Sequence, residues 1–285
     1  MGLPNVDQPL AGLRYVEIET SRYCNRVCSW CPNGHTTERR AQELMPWDLF
    51  TKITRELGAA GFGGFFAFHN YNEPLHNKRL PEEIAEVRTT VPKAKPAIYT
   101  NGDRFNREVF EQMQEGGVSY VRVTRYPPNA TIVPTYGYLQ RWIHGRELSG
   151  LGWEYGPVRQ GLAATWTAPG GSMKVEVIRP QITTYNDRGG TAVVPTELPT
   201  RTAPCQMTAT SLSVDYMGRM KMCCNVIPQG SVHQEYVVGS AADQPLTELW
   251  NHEFMAEWRK RHAQADWSRS PACRTCVQQL PETRR

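Results

Sequence analysis

From Arg14 to Thr124 the chain alternates short apolar strands with amphipathic stretches, and this alternation restricts the fold more than any other feature. RYVEIET (14–20), FFAF (65–68), AIYT (97–100) and YVRVT (120–124) read as strands. Between them lie helical patterns near 47–58, 79–90 and 105–116, the last stopped by Gly116-Gly117. Strands separated by helices pair in parallel through right-handed crossovers. At 285 residues the expected result is a full or partial barrel rather than a small open sheet. Functional groups in such folds gather at the C-terminal ends of the strands.

Between Tyr126 and Gly171 the pattern becomes irregular, with Pro127-Pro128, a helix expected around 136–148, and then a stretch rich in Gly, Trp and Pro. MKVEVI (173–178) reads as one more strand, and the Pro- and Thr-rich segment from Pro195 to Pro204 as a linker. The expected division is therefore a partial (β/α)6 barrel over 1–195 and a smaller unit over 196–285. That unit opens with SLSVDYMGRMKMCCNV, a hairpin whose turn places Gly218 where a positive φ is needed. One helix from Leu246 to His262 follows, with Leu249, Trp250, Phe254 and Trp258 on one packed face.

Composition narrows the function classes. The 32 basic and 28 acidic residues leave a net charge of +4 with the signs interspersed, so charge points to no nucleic-acid partner. No apolar stretch approaches the roughly 18 residues of a membrane span, and MGLPNVDQPL has no secretory-signal pattern. A cytoplasmic enzyme without membrane contact is expected.

Three of the eight cysteines fall between residues 24 and 31, none between 32 and 204, and five beyond. Disulfide frameworks belong to small secreted chains; close-set cysteines in a chain of this kind hold metal or do redox chemistry. Cys24, Cys28 and Cys31 form CxxxCxxC directly after the first strand. A structural zinc wants four ligands, and His35 would have to supply the fourth. Three thiolates on a [4Fe–4S] cluster instead leave one iron open to an outside ligand.

In this triplet the chain resembles the radical S-adenosylmethionine (SAM) superfamily, whose signature is CxxxCxxC in the loop after the first barrel strand. The resemblance implies that the methionine end of SAM chelates the open iron, and that an electron from the cluster cleaves SAM to a 5′-deoxyadenosyl radical that takes a substrate hydrogen. It also implies a flavodoxin- or ferredoxin-type electron donor. Asn72-Glu73-Pro74 is similar to the family's Gly-Gly-Glu-type motif, in which the acid holds the SAM amino group, so Glu73 is expected to bind SAM. Thr100-Asn101-Gly102 is similar to the segment that lies near SAM in relatives, implicating Asn101 and Gly102. Arg122 and Arg125 are candidates for the SAM carboxylate or a substrate acid, and Arg188-Gly189-Gly190 resembles the segment after the last barrel strand in relatives with auxiliary clusters.

Cys205, Cys223, Cys273 and Cys276 suit either a zinc site or a cluster by spacing alone. They resemble the shortened SPASM module called a twitch domain, which implies an auxiliary [4Fe–4S] cluster on these four. Cys224 is left over, since neighbours on a strand point to opposite faces. It reads either as a small buried hydrophobe or as a hydrogen-atom donor to a substrate radical.

The donor reading resembles radical SAM epimerases with twitch domains that act on aminoglycosides or ribosomally made peptides. The expected function is epimerisation of an unactivated C–H centre in a natural product, sugar-like or peptide. The alternatives are a twitch-type dehydrogenase that oxidises a secondary alcohol, a peptide-modifying maturase, and a zinc-binding interaction protein. Tyr136, Tyr138, Trp142, Trp153, Tyr155 and Trp166 are candidates for an aromatic substrate wall or for core. Of the histidines, His69 at a strand end is the one expected near the site.

Overall fold

The computed structural model describes residues 9–34, 43–128, 132–158, 161–181, 187–193 and 198–276. Six parallel strands form the wall of the partial barrel: β1 (Tyr15–Ile18), β2 (Phe65–Ala67), β3 (Lys95–Thr100), β4 (Tyr120–Thr124), β7 (Lys174–Pro180) and β8 (Ser211–Val214). The segment that resisted placement folds as a helix, α4 (Tyr136–His144), and an antiparallel hairpin of β5 (Glu154–Val158) and β6 (Gly161–Thr167) paired to β7. On the other flank β9 (Arg219–Lys221) and β10 (Val237–Ser240) extend the sheet, giving the order β10-β9-β8-β1-β2-β3-β4-β7-β6-β5.

The helices α1 (Trp47–Ala59), α2 (Leu80–Thr90) and α3 (Arg107–Glu115) pack on one face of this sheet. Side chains alternate across each strand, so Val16, Ile18, Phe66, Ile98, Val121 and Val175 join Phe50, Ile53, Ile84 and Phe110 in the main core. The opposite face turns inward, where Tyr15, Ala67, Ala97 and Tyr120 form a second, smaller cluster. Glu17, on the inward side, is 2% exposed.

Two expectations need correction. The hairpin at the start of the second unit does not stand apart, because β8 pairs in parallel with β1 along its whole length, Tyr15–Ile18 against Ser211–Val214. One sheet therefore crosses the expected boundary at 195/196. The single helix expected from 246 to 262 is two, α6 (Leu246–Trp250) and α7 (Glu253–Ala263). His252 breaks it: its Nδ1 accepts the Phe254 N–H and caps α7. The break shifts the helical phase, burying Leu249, Trp250 and Trp258 while Phe254 is left exposed. The short helix α5 (Met207–Thr210) sits just before β8.

Candidate functional site

The loop after β1 is drawn into a compact knot. Cys31 N–H donates to Cys28 O at 3.1 Å and Gly34 N–H to Cys31 O at 2.8 Å. A Cβ on Gly34 would lie 2.1 Å from the Cys28 carbonyl oxygen, so the closure requires glycine. Burial pushes the Cys24 thiol up to about 12, with Glu73, Cys31 and Cys28 adding repulsion, so a bare thiolate is disfavoured and a bound cationic group would be needed to ionise it.

The residues between these cysteines lock the loop to the end of β3. Asp103 accepts from Arg26 Nε at 2.7 Å and Nη2 at 2.5 Å, from Asn25 Nδ2 at 2.8 Å, and from Arg125 Nη1 at 3.0 Å. Despite the opposing effect of burial, these hydrogen bonds and the Arg26 charge hold its carboxyl below the usual range. Asn101 Nδ2 donates to Asn25 Oδ1 at 2.8 Å, and Arg125 Nη1 donates to Asn101 O at 2.5 Å. The same Asn101 reaches Glu73: its N–H donates to Oε2 at 2.7 Å, while Thr100 Oγ1 donates to Oε1 at 2.5 Å. Glu73 is buried, and burial lifts its pKa to about 7 against these donors. Gly102 turns with φ +73°, where a Cβ would meet Val123 Cγ1 at 2.3 Å.

The fold thus joins Cys24, Cys28, Cys31, Glu73, Asn101 and Gly102 at one end of the barrel. Arg125 joins them as well. Arg122 does not: it lies on the inner wall, its Nε 3.8 Å from Glu176 Oε2. His69 also faces inward, stacked on Tyr99 at 4.4 Å with Nε2 3.7 Å from Glu17 Oε1. The aromatic wall is mostly core: Trp166 packs on Phe110, Trp142 stacks on Phe105, and Trp153 Nε1 donates to Leu148 O. Tyr136 and Tyr155 are exposed as an edge-on pair. His35 lies outside the described residues.

Cys205, Cys223, Cys273 and Cys276 line one cavity with His262, and Cys224 lines it as well: β9 ends at Lys221, so the tandem cysteines follow the strand and do not alternate across its two faces as expected. Burial pushes the Cys273 thiol up to about 12 and raises Cys205 and Cys223 as well. Among the described residues no three His, Cys, Asp or Glu side chains close on a single ion. Four thiols facing one cavity are the donor set that an iron–sulfur cluster takes. The linker end is tied to the last pair, since Arg201 Nη1 donates to Cys276 O at 3.0 Å.

Arg188 spans the two cysteine groups. Burial works against its charge, but Tyr71, Cys224, Cys31 and Tyr126 around it hold the guanidinium firmly protonated. Among the described residues the Tyr71 hydroxyl and Trp30 Nε1 are buried there without hydrogen-bond partners, as expected of a chamber that takes a polar ligand.

Comparison with known proteins agrees with this geometry. The model of the radical SAM superfamily matches residues 18–125, and that of an iron–sulfur cluster-binding domain, SPASM, matches 205–277. The chain thus carries a radical SAM domain followed by a SPASM-type domain. A curated relative, the S-adenosyl-L-methionine-dependent 2-deoxy-scyllo-inosamine dehydrogenase of Niallia circulans, is 23% identical over 261 residues, covering 92% of this chain and 91% of that protein. BtrN in complex with AdoMet and 2-DOIA shares the fold at a TM-score of 0.70 and 22% identity over 93% of each chain. Native anSMEcpe with bound AdoMet follows at 0.53 and 12%, over 91% of this chain and 88% of that one. As a radical SAM enzyme the chain binds SAM and a [4Fe–4S] cluster in its first domain and an auxiliary iron–sulfur cluster in its SPASM domain. Among the described residues no helix is long and apolar enough to cross a membrane.

Sequence reasoning missed the Asn25–Arg26–Asp103–Arg125 clamp and the chamber formed by Tyr71, Trp30 and Tyr126. Nothing in the spacing of those residues announces them. Arg188 was flagged only through the glycines that follow it.

Proposed function

We propose that the chain oxidises a secondary alcohol of a hydroxylated natural product to a ketone, at a carbon held between the two clusters. The placement of Arg188 carries this reading, a fixed cation whose Nη1 donates to Asn225 Oδ1 at 2.7 Å, beside the second cysteine group, with Cys31 of the first group within its electrostatic reach. The name of the curated relative, a dehydrogenase of an aminocyclitol, supports the same chemistry. When loaded, the clusters and SAM supply the 5′-deoxyadenosyl radical that takes the carbinol hydrogen and the acceptor for the electron released as the hydroxyl proton leaves. Arg188 holds the carbinol oxygen and, as a cation, favours loss of that proton. Tyr71 and Trp30 offer further hydrogen bonds to the substrate. Glu73, Asn101 and Gly102 hold SAM, Glu73 by accepting from its amino group. Arg122, on the inner wall beside Glu176 and apart from the residues that hold SAM, is left as a wall cation for the substrate. Low-potential electrons come from a flavodoxin or ferredoxin, in keeping with the reducing cytoplasm.

A second reading rests on Cys224. Its thiol is 5% exposed and neighbours Arg188 and Tyr71. A thiol there can return a hydrogen atom to the opposite face of the substrate radical and invert the centre. Anaerobic turnover of 2-deoxy-scyllo-inosamine and related aminocyclitols in deuterated water separates the two. Oxidation yields a product two mass units lighter with no solvent deuterium, whereas inversion yields an epimer carrying one deuterium, lost in Cys224→Ala. Reconstituted enzyme that binds both clusters yet never forms 5′-deoxyadenosine defeats both readings.

A further inference from the structure

Asn225 follows the tandem cysteines and is 7% exposed. Both ends of its carboxamide are engaged. Arg188 Nη1 donates to Oδ1 at 2.7 Å, and Nδ2 donates to Cys276 Sγ at 3.0 Å. A guanidinium can only donate, so Arg188 fixes which end of the amide is oxygen and leaves the NH2 group facing the sulfur. The cation also polarises the amide, strengthening the bond at its far end. Hydrogen bonds to ligating sulfurs are among the terms that set iron–sulfur potentials: a donor draws charge off the thiolate and favours the reduced cluster.

We propose that Asn225 is a positioning residue that links Arg188 to Cys276 and raises the potential of the auxiliary cluster through its N–H···S bond. The substrate oxygen held by Arg188 and the cluster that takes the electron are then joined by one side chain, a role that rests on the oxidative reading above. The bond itself does not depend on that reading.

The test is a redox titration, followed by electron paramagnetic resonance, of the full chain reconstituted with both clusters. Asn225→Leu should lower the auxiliary potential so that the reduced-to-oxidised ratio at a fixed poise falls about tenfold, about 59 mV for one electron. The SAM-binding cluster should not move. Asn225→Gln, which keeps a donor, should recover part of the shift. An Asn225→Leu protein with full iron and an unchanged auxiliary potential overturns the proposal, as does an equal shift in both clusters. If the leucine variant fails to load its second cluster, the wild-type protein decides: in deuterated water, pulsed resonance of the reduced auxiliary cluster should detect an exchangeable deuteron at hydrogen-bond range, and its absence overturns the assignment. A shifted potential without a ketone product defeats the oxidation and leaves Asn225 standing; a ketone without the shift does the reverse.

Discussion

Glu73 should make SAM binding depend on pH. Burial raises its pKa from 4.5 to about 7, a difference worth about 3 kcal/mol against the ionised form in a side chain only 3% exposed. In the SAM-free protein the folded state therefore prefers the proton. That contribution to stability is complete below pH 4.5 and is lost as pH rises through about 7, so the apo protein should weaken between about pH 4.5 and 7 and change little above that. Binding has the opposite sign, because only the carboxylate can accept strongly from the SAM amino group. About one Glu73 in eleven is ionised at pH 6 and about ten in eleven at pH 8, so the Kd for SAM should be about tenfold weaker at pH 6. Titrating SAM into the reduced protein and following the cluster signal at pH 6, 7 and 8 measures this. Glu73→Gln should weaken binding at pH 8 and flatten the profile. A flat wild-type profile, or a slope that survives in the glutamine variant, refutes the assignment.

Asp103→Asn removes the charge shared by Arg26 and Arg125. With the carboxylate 31% exposed, the loss should be about 2 kcal/mol in urea denaturation, accompanied by weaker iron retention at the first cluster. Gly102→Ala forces a Cβ against Val123 at a positive φ and should cost about 2–3 kcal/mol, read as a fall in Tm. Cys223→Ser should cut iron from about eight to about four per chain, whereas Cys224→Ser should leave it unchanged. Equal losses in the two serine variants would show that the ligand was misassigned.

The barrel was legible because its strands and helices carry clean periods. Helices α1 to α3 and strands β1 to β4 lie within a few residues of their expected places. The two iron–sulfur domains were legible because their cysteines keep a fixed spacing. What could not be read depends on contacts distant in sequence. Arg26 and Asp103 meet across 77 positions, and Arg188 reaches Asn225 across 37. The pairing of β8 with β1 was hidden for the same reason, since a strand beside a hairpin turn gives no sign of a third partner. The split between α6 and α7 escaped because an unbroken apolar stripe outweighed a lone histidine cap. The β5–β6 hairpin was hidden by its glycines and prolines, residues that local reading assigns to loops.

The seam between β8 and β1 has a practical consequence. A fragment ending before Cys205 would leave the strand that aims the SAM-cluster loop with its outer row of amides and carbonyls bare, a template for self-association. Such a truncated barrel should precipitate rather than persist as a minimal enzyme. Residues 205–276 supplied as a separate polypeptide would be the natural remedy, acting as the missing stave.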